Sequence, residues 1–249
     1  MSNTYRLDQI YNILLKKKTA TVEELSASFQ VTPTTIRRDL LELEERGLIY
    51  RSRGIAHLKE NRITDANIFM EEKRRIAAAA ANYVSSGMSV ALDSGSTAMA
   101  LAQHLVDEPE LDGMNFLTHS PKVALTLSER FHVSLPGGVL SPRDEFLVGP
   151  WTESFYKNTN VDIVFLGSTG VLNCSGLTVP NPLQLTVKQL QAGCASRCIA
   201  MLDSGKYSSR GIYVFCDFKN IDTLITVKTR ENEAQLNRIA DTGVEIILV

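Results

Sequence analysis

Two short stretches of this chain hold residue types that could do chemistry. In Thr32-Pro33-Thr34-Thr35-Ile36-Arg37-Arg38, hydroxyls and guanidinium groups recur at helical spacing. Arginine offers a planar fork of donors that fits guanine edges and phosphate oxygens, and threonine adds a hydroxyl and a methyl. The second stretch, Asp93-Ser94-Gly95-Ser96-Thr97, combines hydroxyls with a glycine that lets a ligand approach the backbone. Where such a loop joins a strand to a helix, its free N–H groups and the positive helix end face an incoming anion, so phosphate is the natural guest. Lys206, in Asp203-Ser204-Gly205-Lys206, could lend a point charge to the same anion. The plainer alternatives are a capped turn, a solvated loop lysine and, for Arg37 and Arg38, solvated surface.

The elements that must position the first stretch are legible around it. Thr32 is a good helix N-cap and Pro33 suits the first helical position. Ile36, Leu40 and Leu43 then form one apolar stripe, which turns Thr34, Arg37, Arg38 and Leu41 outward. Upstream, Leu7, Ile10, Tyr11, Leu14 and Leu15 mark an amphipathic helix closed by Lys16-Lys17-Lys18. Thr21-Val22-Glu23-Glu24 is a capping box for a short helix burying Val22, Leu25 and Phe29. Downstream, Leu48–Arg51 and Ile55–Leu58 read as two short strands about a basic turn that includes Arg53. Two short helices and a hairpin make a winged helix-turn-helix, with the cationic helix in a DNA major groove and Arg51 and Arg53 along phosphates. Thr32, Thr34, Thr35, Arg37, Arg38, Arg51 and Arg53 are therefore the expected DNA contacts.

Composition bounds the rest. The 249 residues are 44% hydrophobic and carry a formal net charge of −2, so any nucleic-acid contact must come from a local patch. Residues 1–58 supply one, being mildly basic where the remainder is mildly acidic. The polar opening residues do not read as a secretory leader, and no apolar run approaches the roughly 20 residues that span a bilayer, so a cytoplasmic protein is expected. Cys174, Cys194, Cys198 and Cys216 lack zinc-type spacing and read as reduced thiols, with no metal or cofactor expected.

Residues 59–70 are polar and aperiodic at first and read as a linker, leaving 1–58 as the DNA-binding domain and 71–249 as an effector-binding and oligomerisation domain. In that larger part, apolar runs break repeatedly into Gly- and Ser-rich turns: Val90–Leu92 before Asp93, Phe116-Leu117 before Thr118-His119-Ser120, Val133–Leu135 before Gly137-Gly138. Ile163–Leu166 before Gly167 and Ile199–Leu202 before Asp203 continue the series. Strand, loop and helix in alternation predict an α/β domain with a mostly parallel sheet, whose ligands bind beyond the carboxyl ends of the strands.

Thr35-Ile36-Arg37-Arg38-Asp39-Leu40, followed by Leu43-Glu44, Gly47, Arg51 and Gly54-Ile55-Ala56, resembles the DeoR family of bacterial transcription regulators. Asp93–Thr97, Thr118-His119-Ser120, Leu135–Gly138, Asp203–Tyr207 and Asp222–Thr226 follow the pattern of that family's ligand domain in order. The resemblance implies a ligand domain similar to ribose-5-phosphate isomerase and a repressor released from double-stranded operator DNA by a sugar phosphate. The effector residues it suggests are Asp93, Ser94, Gly95, Ser96, Thr97, His119, Ser120, Gly137, Gly138, Gly167, Lys188 and Lys206. The chain departs from the family pattern at Ile55, His119, Gly205 and Val227, where Gly, Asn, Ser and Asp are usual, and Lys188 follows a stretch where Glu is frequent.

The rival function is a sugar-phosphate isomerase with an accessory DNA domain, which would need a positioned carboxylate base. The isomerase has an acid-rich stretch after its middle strand, whereas this chain has Leu166-Gly167-Ser168-Thr169-Gly170, so binding without turnover is expected. A third reading gives the α/β domain only a role in assembly. One short recognition helix covers few bases, so a homodimer or homotetramer is expected.

Overall fold

The computed structural model describes residues 3–45, 48–52, 54–58, 69–141 and 145–249. They divide into two compact units, 1–71 and 72–249. In the first, α1 (Asn3–Lys17), β1 (Thr19–Thr21), α2 (Val22–Phe29), α3 (Pro33–Glu45), β2 (Ile49–Ser52) and β3 (Ile55–Leu58) follow in order. The expected cap is formed, with Thr32 Oγ1 accepting the Thr35 N–H at 3.3 Å. The capping box of α2 closes in both directions between Thr21 and Glu24. Leu7, Ile10, Leu14, Leu25, Ile36, Leu40 and Leu43 fill one core, while Phe29 is only half-buried. Of Leu15 and Lys16 only the backbone is described.

Two features of this unit leave no signal in the sequence. The wing is a three-stranded sheet ordered β1-β3-β2, because Thr19–Thr21 pairs antiparallel with Ile55–His57. Three residues between two helices are too short to show a period. The second feature is Asp39, which lies on the apolar face of α3 and is 1% exposed. Arg6 of α1 grips it through two bonds, Nε to Oδ2 at 2.5 Å and Nη2 to Oδ1 at 2.9 Å. A buried carboxylate needs such a partner, and the fork fixes α3 against α1.

Most of the expected linker lies outside the described residues, but its last two residues belong to structure. Phe69 is 5% exposed in the first unit's core, and its N–H reaches Asp8 Oδ1 at 3.3 Å. Its φ of 56° is left-handed, a conformation that costs an aromatic residue about 1–2 kcal/mol and that burial of its ring offsets.

The second unit runs α4 (Met70–Ala81), β4 (Ser89–Leu92), α5 (Ser96–Asp107), β5 (Asn115–Thr118), α6 (Pro121–Leu127) and β6 (His132–Ser134). Next come β7 (Val139–Leu140), β8 (Leu147–Val148), α7 (Pro150–Lys157), β9 (Val161–Leu166), β10 (Gly176–Val179) and α8 (Pro182–Ala192). It ends with β11 (Ala195–Leu202), β12 (Tyr213–Asp217), β13 (Thr223–Thr226), α9 (Glu233–Ala240) and β14 (Glu245–Leu248). Among the described residues, seven strands form one sheet ordered β14-β13-β11-β9-β4-β5-β6, with every pairing parallel. Both faces are covered, which explains the unbroken apolar runs. Val90, Leu92, Ile163, Phe165, Ile199 and Met201 point into a core with α4, α5 and α6. Their alternates Ala91, Val164, Leu166, Ala200 and Leu202 point into a second core with residues of α7, α8 and α9.

The strand order sets the site. From β4 the chain steps outward through β5 and β6, then returns to β4's other side with β9 and proceeds the opposite way. The reversal lies between β4 and β9, and such a switch point opens a crevice at the carboxyl ends of the strands. Leu92 pairs with Phe165 and Thr118, so Asp93, Gly167 and His119 emerge side by side there.

Candidate functional site

On the first unit, Thr34, Arg37, Arg38 and Leu41 are exposed along one face of α3, as the apolar stripe dictates. Thr32 and Thr35 are occupied with the helix start, their hydroxyls 3.0 Å apart. Arg51 is held by Glu44: its backbone N–H donates to Oε1 at 3.0 Å and its Nε to Oε2 at 2.7 Å. That pairing keeps the Glu44 carboxyl below the usual carboxylate range and ties the wing to the end of α3. Arg53 lies outside the described residues. Tyr50 and His57 stack across the wing with centroids 4.8 Å apart.

On the second unit, Asp93 is the hub of the switch point. Its Oδ1 accepts the Ser94 N–H at 2.7 Å and its Oδ2 accepts the Gly167 N–H at 2.7 Å. Lys188 of α8 donates to the same Oδ2 and lies 4.6 Å from the Phe215 ring centroid. Asp93 and Lys188 are both buried, 2% and 6% exposed, so each neutralises the other. The structure thus gathers Asp93, Ser94, Gly167 and Lys188 at one place and adds His119, whose Nε2 is 3.9 Å from Asp93 Oδ1.

The protonation of His119 follows from its partners. Burial pushes the imidazole down to about 4 despite the nearby Asp93 carboxylate, so it is neutral at physiological pH. Gln191 turns its Nε2 toward the Leu92 carbonyl at 3.1 Å and toward Tyr156 Oη at 3.4 Å. Tyr156 Oη, which accepts from Gln191, also makes a hydrogen bond with His119 Nδ1 at 3.0 Å. Tyr156 and Gln191 carried no sequence signal, since each sits on a helix whose period shows only that it is buried.

The loop Asp93–Thr97 leads from β4 into α5. Gly95 precedes α5 with φ 97°, a region that favours glycine, and α5 has no side-chain cap. In the same unit α6 and α8 are capped, Ser120 Oγ accepting from Val123 and Asn181 from Gln184, whereas α7 behind Gly149 and α9 behind Asn232 start without a side-chain cap, as α5 does. The first N–H groups of α5 are thus left for another partner, beside Ser94, Ser96 and the buried Thr97.

The remaining expected residues are placed less centrally. The Ser120 hydroxyl is committed to its cap. Gly137 accepts a bond from Thr152 Oγ1 at 2.9 Å, and a side chain on Gly138 would collide with Thr152 and the Val148 carbonyl. These glycines pack against α7, and among the described residues they make no hydrogen bond to Asp93. Lys206 is half-buried, and its ammonium has no hydrogen bond or ion pair among the described residues. Asp203 in the same loop is 1% exposed: Oδ1 accepts from Gly205 at 3.1 Å, while Oδ2 has no partner. The carboxylate of Asp162 sits at the opposite end of β9, where its Oδ2 accepts from Ser89 Oγ at 2.6 Å.

A DeoR-like helix-turn-helix model matches residues 6–62, and a DeoR C-terminal sensor-domain model matches residues 68–228. This chain belongs to the DeoR family. The HTH-type transcriptional regulator GlpR of Haloferax volcanii is 35% identical over 233 residues, covering 91% of this chain and 90% of GlpR. The transcriptional repressor GlcR of Bacillus subtilis is 30% identical, covering 98% of this chain and 95% of GlcR. The glycerol-3-phosphate regulon repressor of Escherichia coli is 29% identical, with 91% of each chain covered. Among solved structures, ribose-5-phosphate isomerase A of Methanocaldococcus jannaschii matches with a TM-score of 0.41 at 20% identity, over 55% of this chain and 54% of that one. As a DeoR-family member the chain is a DNA-binding transcriptional regulator with a sensor domain. No helix among the described residues is long and apolar enough to cross a membrane.

Proposed function

We propose that this DeoR-family regulator represses a carbohydrate-use operon and leaves its operator when the sensor domain, 71–249, binds a phosphorylated sugar. The observation that carries this reading is the uncapped start of α5 at the sheet's switch point, where free N–H groups meet three hydroxyls. A phosphate there accepts from the backbone, Ser94, Ser96 and Thr97, with Lys206 supplying a cation. The partnerless Asp203 Oδ2 offers an acceptor for a sugar hydroxyl, and the neutral His119 offers a donor. Relatives named as repressors, one of them of a glycerol-3-phosphate regulon, agree with a phosphorylated effector. In residues 1–58, Thr34, Arg37 and Arg38 address bases and phosphates, Thr32 and Thr35 shape the helix start, and Arg51 and Arg53 address the backbone. Two or four copies act together on a symmetric operator.

The pocket binds without turnover. Isomerisation needs a carboxylate free to take a proton, and Asp93 is saturated by two N–H groups and the Lys188 ammonium. A thermal-shift screen of sugar phosphates, followed by operator binding with and without each hit, tests the proposal. Stabilisation by one compound together with loss of DNA affinity is expected. If no compound at millimolar concentration stabilises the protein, the proposal fails.

A further inference from the structure

The helix that opens the sensor unit holds the loop that carries Lys206. Glu72, in the first turn of α4, is 6% exposed, and its carboxylate takes both donors of Ser204: the backbone N–H at 2.7 Å and the hydroxyl at 2.9 Å. Ser204 stands between Asp203 and Lys206, the residues assigned above to a sugar hydroxyl and a phosphate. Three positions before Glu72, Phe69 is buried in the core of the DNA-binding unit, with its N–H on Asp8 and its backbone at φ 56°. Two residues, Met70 and Glu71, separate a side chain anchored in one unit from a side chain anchored in the effector loop of the other. A left-handed aromatic residue persists only while its surroundings hold it, so the backbone at Phe69 is strained.

We propose that Glu72 is a positioning residue that couples the effector loop to the DNA-binding unit, through its two bonds to Ser204 and the strained residue Phe69. The inference rests on the effector reading above. A ligand that draws Lys206 and Asp203 toward its phosphate and hydroxyls moves Ser204, and Glu72 passes that displacement to the first turn of α4. Two residues of chain then lead to Phe69 in the first unit's core. A ligand shifts DNA affinity only as far as it favours one of two states.

The test uses the full chain, an operator duplex selected from random sequence, and glucose 6-phosphate, fructose 6-phosphate and glycerol 3-phosphate as probes. Wild type is expected to lose about tenfold or more in DNA affinity with the active probe. Glu72→Gln should keep the calorimetric Kd for the probe and the probe-free DNA affinity within about threefold of wild type, while the probe-induced loss falls below about threefold. Ser204→Ala, which keeps the backbone bond, should reduce the coupling less. A Glu72→Gln protein that binds the probe and leaves DNA as wild type does overturns the coupling role and leaves the effector reading intact. Loss of probe binding itself in Glu72→Gln also overturns it, since Glu72 would then belong to the pocket. If Glu72→Gln does not fold, Ser204→Ala decides, and unchanged coupling there refutes the proposal. Wild type that neither binds nor responds to any probe removes the effector reading and the coupling with it.

Discussion

Two helix starts in this molecule solve the same problem in opposite ways. α3 begins behind Thr32, whose hydroxyl accepts the Thr35 N–H. α5 begins behind Gly95, with no side chain to cap it. Every helix leaves its first N–H groups without intrahelical partners. A helix that meets them with its own side chain is finished, and it contributes to recognition only through the residues on its outer face. A helix that leaves them open, at the switch point of a parallel sheet, offers its backbone to a ligand. The first arrangement suits a surface that reads DNA through Arg37 and Arg38, and the second suits a sensor.

The comparison can be broken most decisively at the DNA face. Arg38→Ala should lower operator affinity by about 10- to 100-fold, the worth of one bidentate base contact, while the thermal shift produced by the effector is unchanged. Fluorescence anisotropy against salt concentration reads the first and a melting curve the second. Thr97→Val does the reverse. Losing a hydroxyl that donates to a charged phosphate should weaken the effector about tenfold and leave operator affinity as it was. If both substitutions affect both readouts alike, the two helix starts do not divide the labour.

Smaller effects sharpen the same contrast. Asp39→Asn removes the charged partner of Arg6 and should cost about 2 kcal/mol, seen as a lower denaturation midpoint, with weaker DNA binding because α3 loses its anchor. Thr32→Ala should cost about 1 kcal/mol through the lost cap. Gly95→Ser should give no such gain at α5, because a backbone at φ 97° strains any side chain.

The pH response follows from His119. Its folded value, about 4, lies below the ordinary 6.5, so the unfolded chain binds the extra proton first. The stability owed to neutral, buried His119 is fully present above pH ~6.5 and is lost as pH falls toward ~4, with a slope of at most about 1.4 kcal/mol per pH unit. Replacing His119 with Gln should flatten that slope in urea titrations. A slope of equal size in the variant would place the titration elsewhere.

Much of this was legible in the sequence, for physical reasons that also mark where legibility stops. Ile36, Leu40 and Leu43 announced α3, and with it the outward face, because a stripe at 3.6 spacing admits few other meanings. The runs ending at Leu92, Leu166 and Leu202 announced buried parallel strands, whose order places the loops after Leu92 and Leu166 at the switch point. Pairings between distant residues left no trace. Nothing local says that Asp39 lies inward for Arg6, that Lys188 closes on Asp93 across 95 positions, or that Tyr156 bonds His119. Strand Thr19–Thr21 was hidden by its brevity, and the bonds of Phe69 to Asp8 and of Glu72 to Ser204 by their distance in sequence.

The most direct test of the central claim measures operator affinity of the full chain by anisotropy while a phosphorylated sugar is titrated, alongside calorimetry of the same sugar. Affinity for DNA should fall about tenfold or more, with a midpoint set by the calorimetric Kd, and Thr97→Val should shift both midpoints together. A sugar phosphate that binds tightly by calorimetry and leaves operator affinity unchanged would contradict it.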